Sequence, residues 1–444
     1  MATRSPLRAL MNVERRDIPL VALMFGYFFL VITTFWILKP IKKTAFIGHF
    51  TETGGLDLFG TTLTGAQAEL IAKVLNMVVA FVAALVFSGL AKNLRREKLT
   101  FVFGGFSAAA LTAFAVFGTR GAVTVWLFYL FGDLFNTLML ATFFAFLNDS
   151  MSPDRAKRTY GPIVLGGVVG GAFGSLFVNV KIDDLTNQQW LFIGLGLTAL
   201  IIVVAWAAGR VVAKNPPPEA VAEEEAPPTE APKKEGSAAL AGARLVARSR
   251  YLLAIVTIVG IYELVSTILD FQMTATIEAL VPKADQGDAF STVYAVTNAV
   301  ALVVQLFLTG WLLQWLGVRR VILILPIVVA ASSLGYFIAP VVLMGGLLSV
   351  SDNSLNYSLN QSAREALYTV TTRREKYQAK AFIDMFVQRF AKALAVGLAL
   401  LITIIFSDFG DIRWLSLIAI AGAVVWFFAA RYAGKRFHER AKED

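Results

Sequence analysis

The amino-acid sequence predicts an all-α integral membrane protein with twelve transmembrane helices in two six-helix halves. Of its 444 residues, 57% are hydrophobic and only 16% are charged, and the mean hydropathy is +0.66. Soluble domains carry about 25% charged residues. The chain also contains many apolar runs of about 20 residues, the length that a helix needs to cross a bilayer. A polytopic helical membrane protein accounts for all three observations.

Twelve apolar runs follow one another along the chain, and we refer to them as spans 1 to 12. Each is flanked by polar or charged residues, as expected for a helix that crosses the membrane. They lie at 18–43, 65–90, 101–117, 123–148, 160–180, 190–212, 251–279, 289–313, 321–339, 341–366, 379–406 and 413–432.

The distribution of basic residues predicts how the spans are oriented. If the N-terminus is cytoplasmic, 30 of the 40 Lys and Arg residues fall in cytoplasmic segments or at the cytoplasmic ends of spans. Four fall in or next to loops on the opposite side, and the other six lie in spans 1, 2 and 11. Cytoplasmic loops of membrane proteins carry such an excess of Lys and Arg. Both termini are therefore expected in the cytoplasm. The net charge of +9 then reflects loops that face anionic lipid and requires no nucleic-acid partner.

A segment rich in Pro, Glu and Ala, KNPPPEAVAEEEAPPTEAPKKEG at 214–236, separates the first six spans from the last six. This composition cannot bury a core, so we expect a flexible cytoplasmic linker. The following AALAGARLVARSR is expected to form a short basic amphipathic helix on the membrane surface. The predicted organisation is an N-terminal six-helix bundle at 1–213, the linker and amphipathic segment at 214–250, and a C-terminal six-helix bundle at 251–444.

Several kinds of chemistry find no support in the sequence. Cys is absent, which excludes a thiolate nucleophile or Cys-based metal site, and the two His residues, His49 and His438, are far apart. No Walker motif, redox cofactor motif or hydrolase signature is present, so we expect neither an enzyme nor a bound cofactor or metal. The sequence GGVVGGAFG at 166–174 lies inside span 5, with no strand before it and no Lys after it. It is therefore interpreted as a surface for close helix packing.

Span 1 holds three Lys residues, Lys39, Lys42 and Lys43, with no acidic residue nearby in sequence. Ionisable groups are costly in hydrocarbon, so they are expected to face a partner or a water-filled cavity. Three clustered cations suit an anionic ligand, and internal ion pairing is the alternative. In a straight helix Lys42 and Lys43 would lie at the outer mouth of span 1, and Pro40 is expected to turn them into a cavity.

Other spans also carry polar residues, several of them in stripes along one helix face. Spacings of three, four and seven residues place side chains on the same face, and such stripes indicate a wet central cavity. Glu69 and Lys73 are expected to pair with each other at this spacing. The residues are Glu69, Lys73 and Asn76 in span 2, Asp133 and Asn136 in span 4, Glu263, Ser266, Thr267 and Asp270 in span 7, Asp352, Asn353, Asn356 and Asn360 in span 10, and Asp384, Gln388, Arg389 and Lys392 in span 11.

Two features of the chain resemble the major facilitator superfamily. The sequence GWLLQWLGVRRVILI at 310–324 is similar to the loop that joins spans 8 and 9 in that superfamily. Six plus six spans with a central cytoplasmic linker are also its architecture. The resemblance implies a major facilitator fold in which spans 1, 4, 7 and 10 line a central cavity. It further implies alternating access of that cavity to the two sides of the membrane.

A more specific resemblance covers most of the spans in order. The segment LNYSLNQSAREALYTVTTRREKYQAKAFIDMFVQRFAKAL at 355–394 resembles ATP/ADP translocase-type nucleotide transporters of plastids and obligate intracellular bacteria. RAKRTYGPI at 155–163 and WILKPIKKTAFI at 36–47 are similar to the loop between spans 4 and 5 and to the span 1 motif of that family. The chain is identified as a divergent bacterial member of the family.

The resemblance implies a secondary active transporter for nucleotides or a related phosphorylated or anionic metabolite. Carried over by position, Lys42 and Lys392 match lysines in spans 1 and 11 of the family. Asp133 and Glu263 match glutamates in its spans 4 and 7. Two acids of the family's span 1 motif and the glycines of its span 11 motif are absent here, which points to a changed substrate.

The predicted substrate-binding residues combine the polar stripes with this resemblance. Their Lys and Arg side chains would bind phosphate oxygens, and their acids would bind base or ribose groups or carry a coupled proton. The set is Lys39, Lys42, Lys43, Asp133, Glu263, Asp270, Asn356, Arg389 and Lys392.

Two other functions fit the same sequence. One is a proton-coupled major facilitator transporter of a non-nucleotide substrate, with Glu263 or Asp270 as the proton carrier. The other is a non-transporting membrane partner or lipid-handling protein, in which the polar stripes are structural. In every case we expect a monomer surrounded by membrane lipids. A bacterial inner membrane is expected because the short N-terminal segment does not resemble a transit peptide.

Overall fold

The protein is a multi-pass helical membrane protein. Within the described residues of the computed structural model, eleven helical stretches are long and apolar enough to cross a membrane. The model describes residues 13–58, 60–94, 96–119, 121–151, 153–214, 235–372, 375, 379–380, 382–405 and 408–443.

The α-helices are numbered here in chain order. They are α1 (Ile18–Thr53), α2 (Gly65–Asn93), α3 (Arg96–Phe117), α4 (Ala122–Asp149), α5 (Pro153–Lys181), α6 (Asn187–Lys214), α7 (Glu235–Arg248), α8 (Arg250–Leu280), α9 (Gln286–Val303), α10 (Thr309–Trp315), α11 (Gly317–Val321), α12 (Ile324–Ile338), α13 (Val342–Leu355), α14 (Gln361–Leu367), α15 (Gln388–Ile405) and α16 (Leu415–Glu443).

Short helical turns of other types connect some of these helices. Turns of 3₁₀-helix lie at Lys283–Asp285, Tyr368–Val370 and Phe409–Trp414. Turns of π-helix, which insert an extra residue into the helical repeat, lie at Val304–Leu308, Asn356–Asn360 and Ile383–Val387.

A short antiparallel hairpin follows α1 and departs from the all-α prediction. Strands β1 (Leu56–Leu58) and β2 (Thr61–Leu63) pair with Leu56 opposite Leu63. Gly60, in the turn, has φ 81°, a left-handed conformation that glycine adopts readily. The six strand residues are too few to give a recognisable pattern in the sequence.

Helix α1 is longer than the predicted span 1, which was placed at 18–43. It runs for 36 residues and ends where Gly54 adopts a left-handed conformation with φ 82°. At 1.5 Å per residue, about 15 Å of helix follows Lys43. Lys42 and Lys43 therefore lie well before the end of the helix. Their position relative to the outer mouth of the membrane span stays a prediction. Hydropathy falls at the lysines, but backbone hydrogen bonding continues past them.

Glycines of α5 allow it to pack directly on the backbone of α1. Gly166, Gly170 and Gly174 are four residues apart, and a Cβ atom built on each would lie 2.4–2.7 Å from a carbonyl oxygen of α1. The Thr33 hydroxyl of α1 also donates a hydrogen bond of 3.1 Å to the Gly170 carbonyl. The interpretation of the glycine-rich run as a helix-packing surface is thus confirmed.

Helix α2 turns an apolar face outward. Val78, Phe81, Val82 and Leu85 are about half exposed and recur at helical spacing, which suits contact with lipid tails. The charged residues Glu69 and Lys73 are far less exposed. Glu69 therefore faces α1 and α4, where it contacts Lys43 and Tyr129, and the apolar face of the helix is free to contact lipid.

The chain divides into two compact units. Among the described residues, the N-unit comprises 13–214 and 282–302, and the C-unit comprises 235–281 and 303–443. Most of the predicted linker at 214–236 lies outside the described residues. Helix α7 coincides with most of the predicted amphipathic segment, and its position on the membrane surface stays a prediction.

The helical stretch from α13 to α14 corresponds to predicted span 10. It carries a buried Asp352 and several Asn residues, and it is not among the eleven apolar stretches. The predicted count of twelve membrane spans therefore stays a prediction, as does the cytoplasmic position of both termini.

Candidate functional site

The N-unit contains a cluster of charged side chains from α1, α2 and α4. The Lys42 ammonium forms an ion pair with Asp133, and the Lys43 Nζ lies 3.1 Å from Glu69 Oε1. The predicted pair of Glu69 and Lys73 is confirmed, with 3.8 Å between Nζ and Oε2. The lysines of span 1 have no acidic neighbour along the sequence, but the fold supplies one to each of Lys42 and Lys43 from another helix.

Hydrogen bonds join the two ion pairs into one network. The Tyr129 hydroxyl donates to Glu69 Oε1 at 2.8 Å, and the Lys42 ammonium lies 4.4 Å from the centre of the Tyr129 ring. The same ammonium donates to the Tyr129 carbonyl at 3.4 Å. The Asn76 amide donates to the second carboxylate oxygen of Asp133. Three ammonium groups and two carboxylates are held in one arrangement, with a formal charge of +1.

The members of this network differ in their access to solvent. The Lys42 and Lys43 side chains are 4% and 3% exposed, whereas the Asp133 side chain is 39% exposed. A buried ammonium depends on its partner for stability, because it has lost its hydration. Asp133 is the most exposed of the five charged side chains in the cluster.

Gly132 provides the space that the Lys42 side chain occupies. A Cβ atom built on Gly132 would lie 2.5 Å from Lys42 Cδ. Any larger residue at this position would push the ammonium away from its present partners. Gly132 therefore positions Lys42 from the facing helix, although it carries no polar group.

Lys39 and Lys43 also contact aromatic rings within the N-unit. The Lys39 ammonium lies 4.4 Å from the Trp36 ring centre and 4.6 Å from that of Tyr294. The Lys43 ammonium lies 5.3 Å from the Phe290 ring centre. Cation–π contacts of this kind stabilise an ammonium in apolar surroundings.

A cavity of about 970 Å³ lies beside the lysine cluster, towards the Thr53 end of α1. His49, Glu52, Lys283 and Gln286 are among the residues that line it. Two of these lining residues, Glu52 and Lys283, form an ion pair. The predicted substrate-binding residues of the N-unit do not line this cavity, so it is distinct from the lysine cluster.

The C-unit brings together two of the predicted site residues, Glu263 of α8 and Lys392 of α15. Their charged atoms are 3.9 Å apart, and their side chains are 19% and 41% exposed. Arg389 and Asp270 are partly buried in the same unit. The side chain of Asp384 lies outside the described part of the structure. This pair is more open to solvent than the lysine cluster of the N-unit.

The predicted residue Asn356 begins the π-helical turn that follows α13. Its side-chain oxygen accepts a hydrogen bond of 3.0 Å from the Asn360 amide. Asp352, one helical turn earlier, is almost fully buried and accepts a hydrogen bond of 2.5 Å from the Ser266 hydroxyl. π-Helical turns occur frequently at functional sites because they change which face a side chain occupies.

The structure thus places the predicted residues in two groups, with Lys39, Lys42, Lys43 and Asp133 in the N-unit and Glu263, Asp270, Asn356, Arg389 and Lys392 in the C-unit. Sequence reasoning identified Glu69, Asn76 and Asp352 as polar but left them outside the site, and it missed Tyr129 and Gly132. Tyr129 and Asp133 are four residues apart on one helix face, and this spacing is the signal that could have identified Tyr129. Within the described residues, no group of three His, Asp or Glu side chains is arranged to hold a metal ion.

Comparisons with known proteins agree on the class of protein. A family profile described as Major Facilitator Superfamily matches residues 20–368. The chain is 21% identical to a plastidic ATP/ADP-transporter from Solanum tuberosum, over 98% of this chain and 75% of that one. It is also 21% identical to ADP,ATP carrier protein 3 from Rickettsia bellii (strain RML369-C), over 71% of each chain.

Solved structures show the same fold at low sequence identity. A bacterial homologue of the iron transporter ferroportin, in an inward-facing state, matches with a TM-score of 0.65 and 10% identity, over 94% of this chain and 99% of that one. The nucleoside transporter NupG matches with a TM-score of 0.60 and 15% identity, over 95% of this chain and 99% of that one.

Proposed function

The chain belongs to the major facilitator superfamily, and on that premise we propose that it is a secondary active transporter for nucleotides or a related phosphorylated metabolite. Its similarity to ADP/ATP carriers along most of its length supports this substrate class. The proposal includes alternating access and two six-helix bundles at 1–213 and 251–444. It also includes cytoplasmic termini, which the distribution of Lys and Arg supports, and a bacterial inner membrane as the location.

The observation that carries the proposal is the buried lysine cluster of the N-unit. Lys42 and Lys43 are deeply buried, and Lys42 is paired with a carboxylate that is partly open to solvent. A substrate phosphate offers the same kind of oxygen ligand as Asp133, with more negative charge. We infer that a phosphate oxygen replaces the Asp133 carboxylate as the partner of Lys42 when substrate binds.

This exchange of partners explains why an acid belongs in an anion site. Leaving a buried ammonium without a partner costs about 3–5 kcal/mol. In the substrate-free protein Asp133 neutralises Lys42, so the empty transporter avoids that cost. The substrate then supplies the same interaction, and Asp133, which is 39% exposed, turns towards water.

The C-unit pair of Glu263 and Lys392 is suited to a second substrate contact. Lys392 is partly exposed and ends in a mobile point charge that adapts to a phosphate group. Arg389, three positions earlier, adds the flat guanidinium that binds two oxygens at once. Glu263 and Asn356 offer acceptors and donors for base or ribose groups. We propose these roles for the C-unit residues of the predicted site.

The test is uptake of labelled nucleotides by the purified protein in liposomes that contain an internal nucleotide pool. We expect saturable uptake of at least one nucleotide or phosphorylated metabolite, and its loss in Lys42→Ala. The matched control is Lys181→Ala, because Lys181 is half exposed and pairs with Asp184, which lies in the turn just after its helix. If none of these compounds is transported or shifts the melting temperature, the proposed substrate class is wrong.

A further inference from the structure

Asp352 is a buried carboxyl group of the C-unit that the proposed substrate contacts do not use. It lies on α13 and is 1% exposed. Its Oδ2 atom accepts a hydrogen bond of 2.5 Å from Ser266 of α8. Its Oδ1 atom is buried and has no hydrogen-bond partner within the described part of the chain. One oxygen of the carboxyl group is thus satisfied and the other is available.

The charged groups around Asp352 are mainly acidic. Glu263 and Asp270 of α8 are close enough to repel a negative charge on it, and Tyr262 and Tyr357 also face it. The Lys392 ammonium of α15 pairs with Glu263. On α12, the hydroxyl of Tyr336 is hydrogen-bonded to Thr276, and Ser332 is bonded to Ser351. Among the described residues, no Lys or Arg forms an ion pair with Asp352.

This environment favours an uncharged carboxyl group. A carboxylate that is buried without a cation loses its hydration, and two neighbouring acids add repulsion. Binding one proton at Oδ1 removes the charge and leaves the Ser266 hydrogen bond at Oδ2 in place. Glu263, in contrast, is partly exposed and lies 3.9 Å from the Lys392 ammonium.

The helix around Asp352 is irregular, which is a second and independent observation. A π-helical turn begins at Asn356, one turn after Asp352, and includes Tyr357. The Oδ1 atom of Asn360, at the end of that turn, is buried and accepts no hydrogen bond from the described residues. π-Helical turns are often found at functional sites. The segment therefore combines a carboxyl oxygen that has no hydrogen-bond partner among the described residues with an irregular helix geometry.

We propose that Asp352 is a proton-binding site that couples transport to the proton gradient. A proton from water forms an O–H bond at Asp352 Oδ1, which converts the carboxylate into a neutral acid, and it returns to water when the carboxylate re-forms. Ser266 donates to Oδ2 in both forms. The proton site is inferred from the contacts of Asp352 in the C-unit. Its role in coupling proton movement to transport rests on the proposed transport function.

Infrared spectroscopy tests the proton site without any substrate. The purified wild-type protein is expected to show a protonated-carboxyl C=O band that weakens as the pH rises. Asp352→Asn should remove this band, and Asp183→Asn, at an exposed acid outside the membrane helices, should leave it unchanged. A band that Asp352→Asn does not remove, or one that does not change with pH, would overturn the proposal.

Two further variants keep the test decisive if Asp352→Asn does not fold. Asp352→Glu should retain a titrating band at a shifted frequency, because the carboxyl group is kept in a slightly different place. Ser266→Ala removes the hydrogen bond to Oδ2 and should shift the pH at which the band disappears. If neither variant alters the band, Asp352 is not its source.

The coupling role is tested in liposomes with an imposed pH gradient. Wild-type uptake of a transported nucleotide should rise with a proton gradient directed along the transport, and uptake by Asp352→Asn should not respond to it. Wild-type uptake that ignores the gradient would overturn coupling through Asp352. If the infrared band titrates but no nucleotide is transported, the proposed substrate class fails while the proton site stands.

Discussion

The two units of the protein carry opposite kinds of buried charge. In the N-unit, Lys42 and Lys43 are buried and two acids neutralise them. In the C-unit, Asp352 is 1% exposed. Lys392, which pairs with Glu263, is 41% exposed. An anion is attracted to the first environment and a cation to the second. This difference is consistent with the phosphate contact that we propose for Lys42 and with the proton site that we propose at Asp352.

The helices that hold these charges also differ. Helix α1 runs unbroken for 36 residues through Pro40, and α5 packs on its backbone through glycines. All three π-helical turns of the described residues, at Val304–Leu308, Asn356–Asn360 and Ile383–Val387, lie in the C-unit. A regular, tightly packed helix fixes its side chains in place. We therefore expect the contact between α1 and α5 to be sensitive to changes in packing.

The largest effect is expected from a glycine of the N-unit. Gly170→Val places a branched side chain where even a Cβ atom would be 2.4 Å from the Phe29 carbonyl oxygen, so the helices must separate. We expect a loss of more than about 3 kcal/mol in unfolding free energy, above the usual cost of overpacking. Thermal unfolding of the purified protein in detergent measures this loss.

The matched control for Gly170 is a glycine of the C-unit. A Cβ atom on Gly397 of α15 would meet nothing within 4 Å, so Gly397→Ala should be neutral or stabilise the helix by up to about 1 kcal/mol. Equal destabilisation by Gly170→Val and Gly397→Ala would show that Gly170 is not in a tight contact with α1.

The next effect comes from separating the charges of the N-unit. Asp133→Asn leaves the Lys42 ammonium without its carboxylate, and we expect a loss of about 2–3 kcal/mol. This is below the roughly 3–5 kcal/mol of a fully buried pair because Asp133 is partly exposed. Lys42→Met should cost less, since the remaining Asp133 is able to reach water. Denaturation curves of both single variants and of the double variant measure the interaction energy between Lys42 and Asp133.

The double variant shows whether the stability lost in Asp133→Asn comes from breaking the ion pair of Lys42 and Asp133. Replacing both charges removes the unpaired ammonium, so the double variant should be more stable than Asp133→Asn alone. If the two single effects simply add, Lys42 and Asp133 do not interact in the way that the structure shows.

A smaller effect is expected from Gly132, which makes room for Lys42. Gly132→Ala should displace the ammonium from Asp133 while both charges remain, and we expect transport to fall roughly tenfold, as for the loss of one charge-assisted hydrogen bond. Gly105→Ala is the control in the same unit, because its Cβ atom would meet nothing within 4 Å. Normal transport by Gly132→Ala would mean that the exact position of Lys42 is unimportant.

Sequence reasoning found features that depend on one helix at a time. The glycines of 166–174 were interpreted as a packing surface because small residues at helical spacing have few other uses. The Glu69–Lys73 pair was predicted because the two residues are four positions apart and so lie on one helix face. The membrane character of the chain and its family also followed from composition and from motifs.

Features that depend on how one helix is rotated against another could not be predicted from the sequence. The pairing of Lys43 with Glu69 is set by the packing of α1 against α2, which no spacing along the chain encodes. The space at Gly132 for the Lys42 side chain is of the same kind. The end of α1 was missed because hydropathy falls at the lysines, whereas the backbone hydrogen bonds of the helix do not require apolar side chains.

The smallest effect on stability is expected in the C-unit, at Lys392. Its ammonium is 3.9 Å from Glu263 and is partly exposed, so Lys392→Met should change the unfolding free energy by at most about 1 kcal/mol. Lys435→Met is a close control, because Lys435 also lies 3.9 Å from an acid, Glu439, and is still more exposed. The two variants should unfold alike, whereas only Lys392→Met should weaken nucleotide binding, by roughly tenfold for one lost phosphate contact. Calorimetric titration measures the binding. If both variants bind nucleotide equally well, Lys392 does not contact the substrate, and only the lysines of the N-unit remain as proposed phosphate contacts.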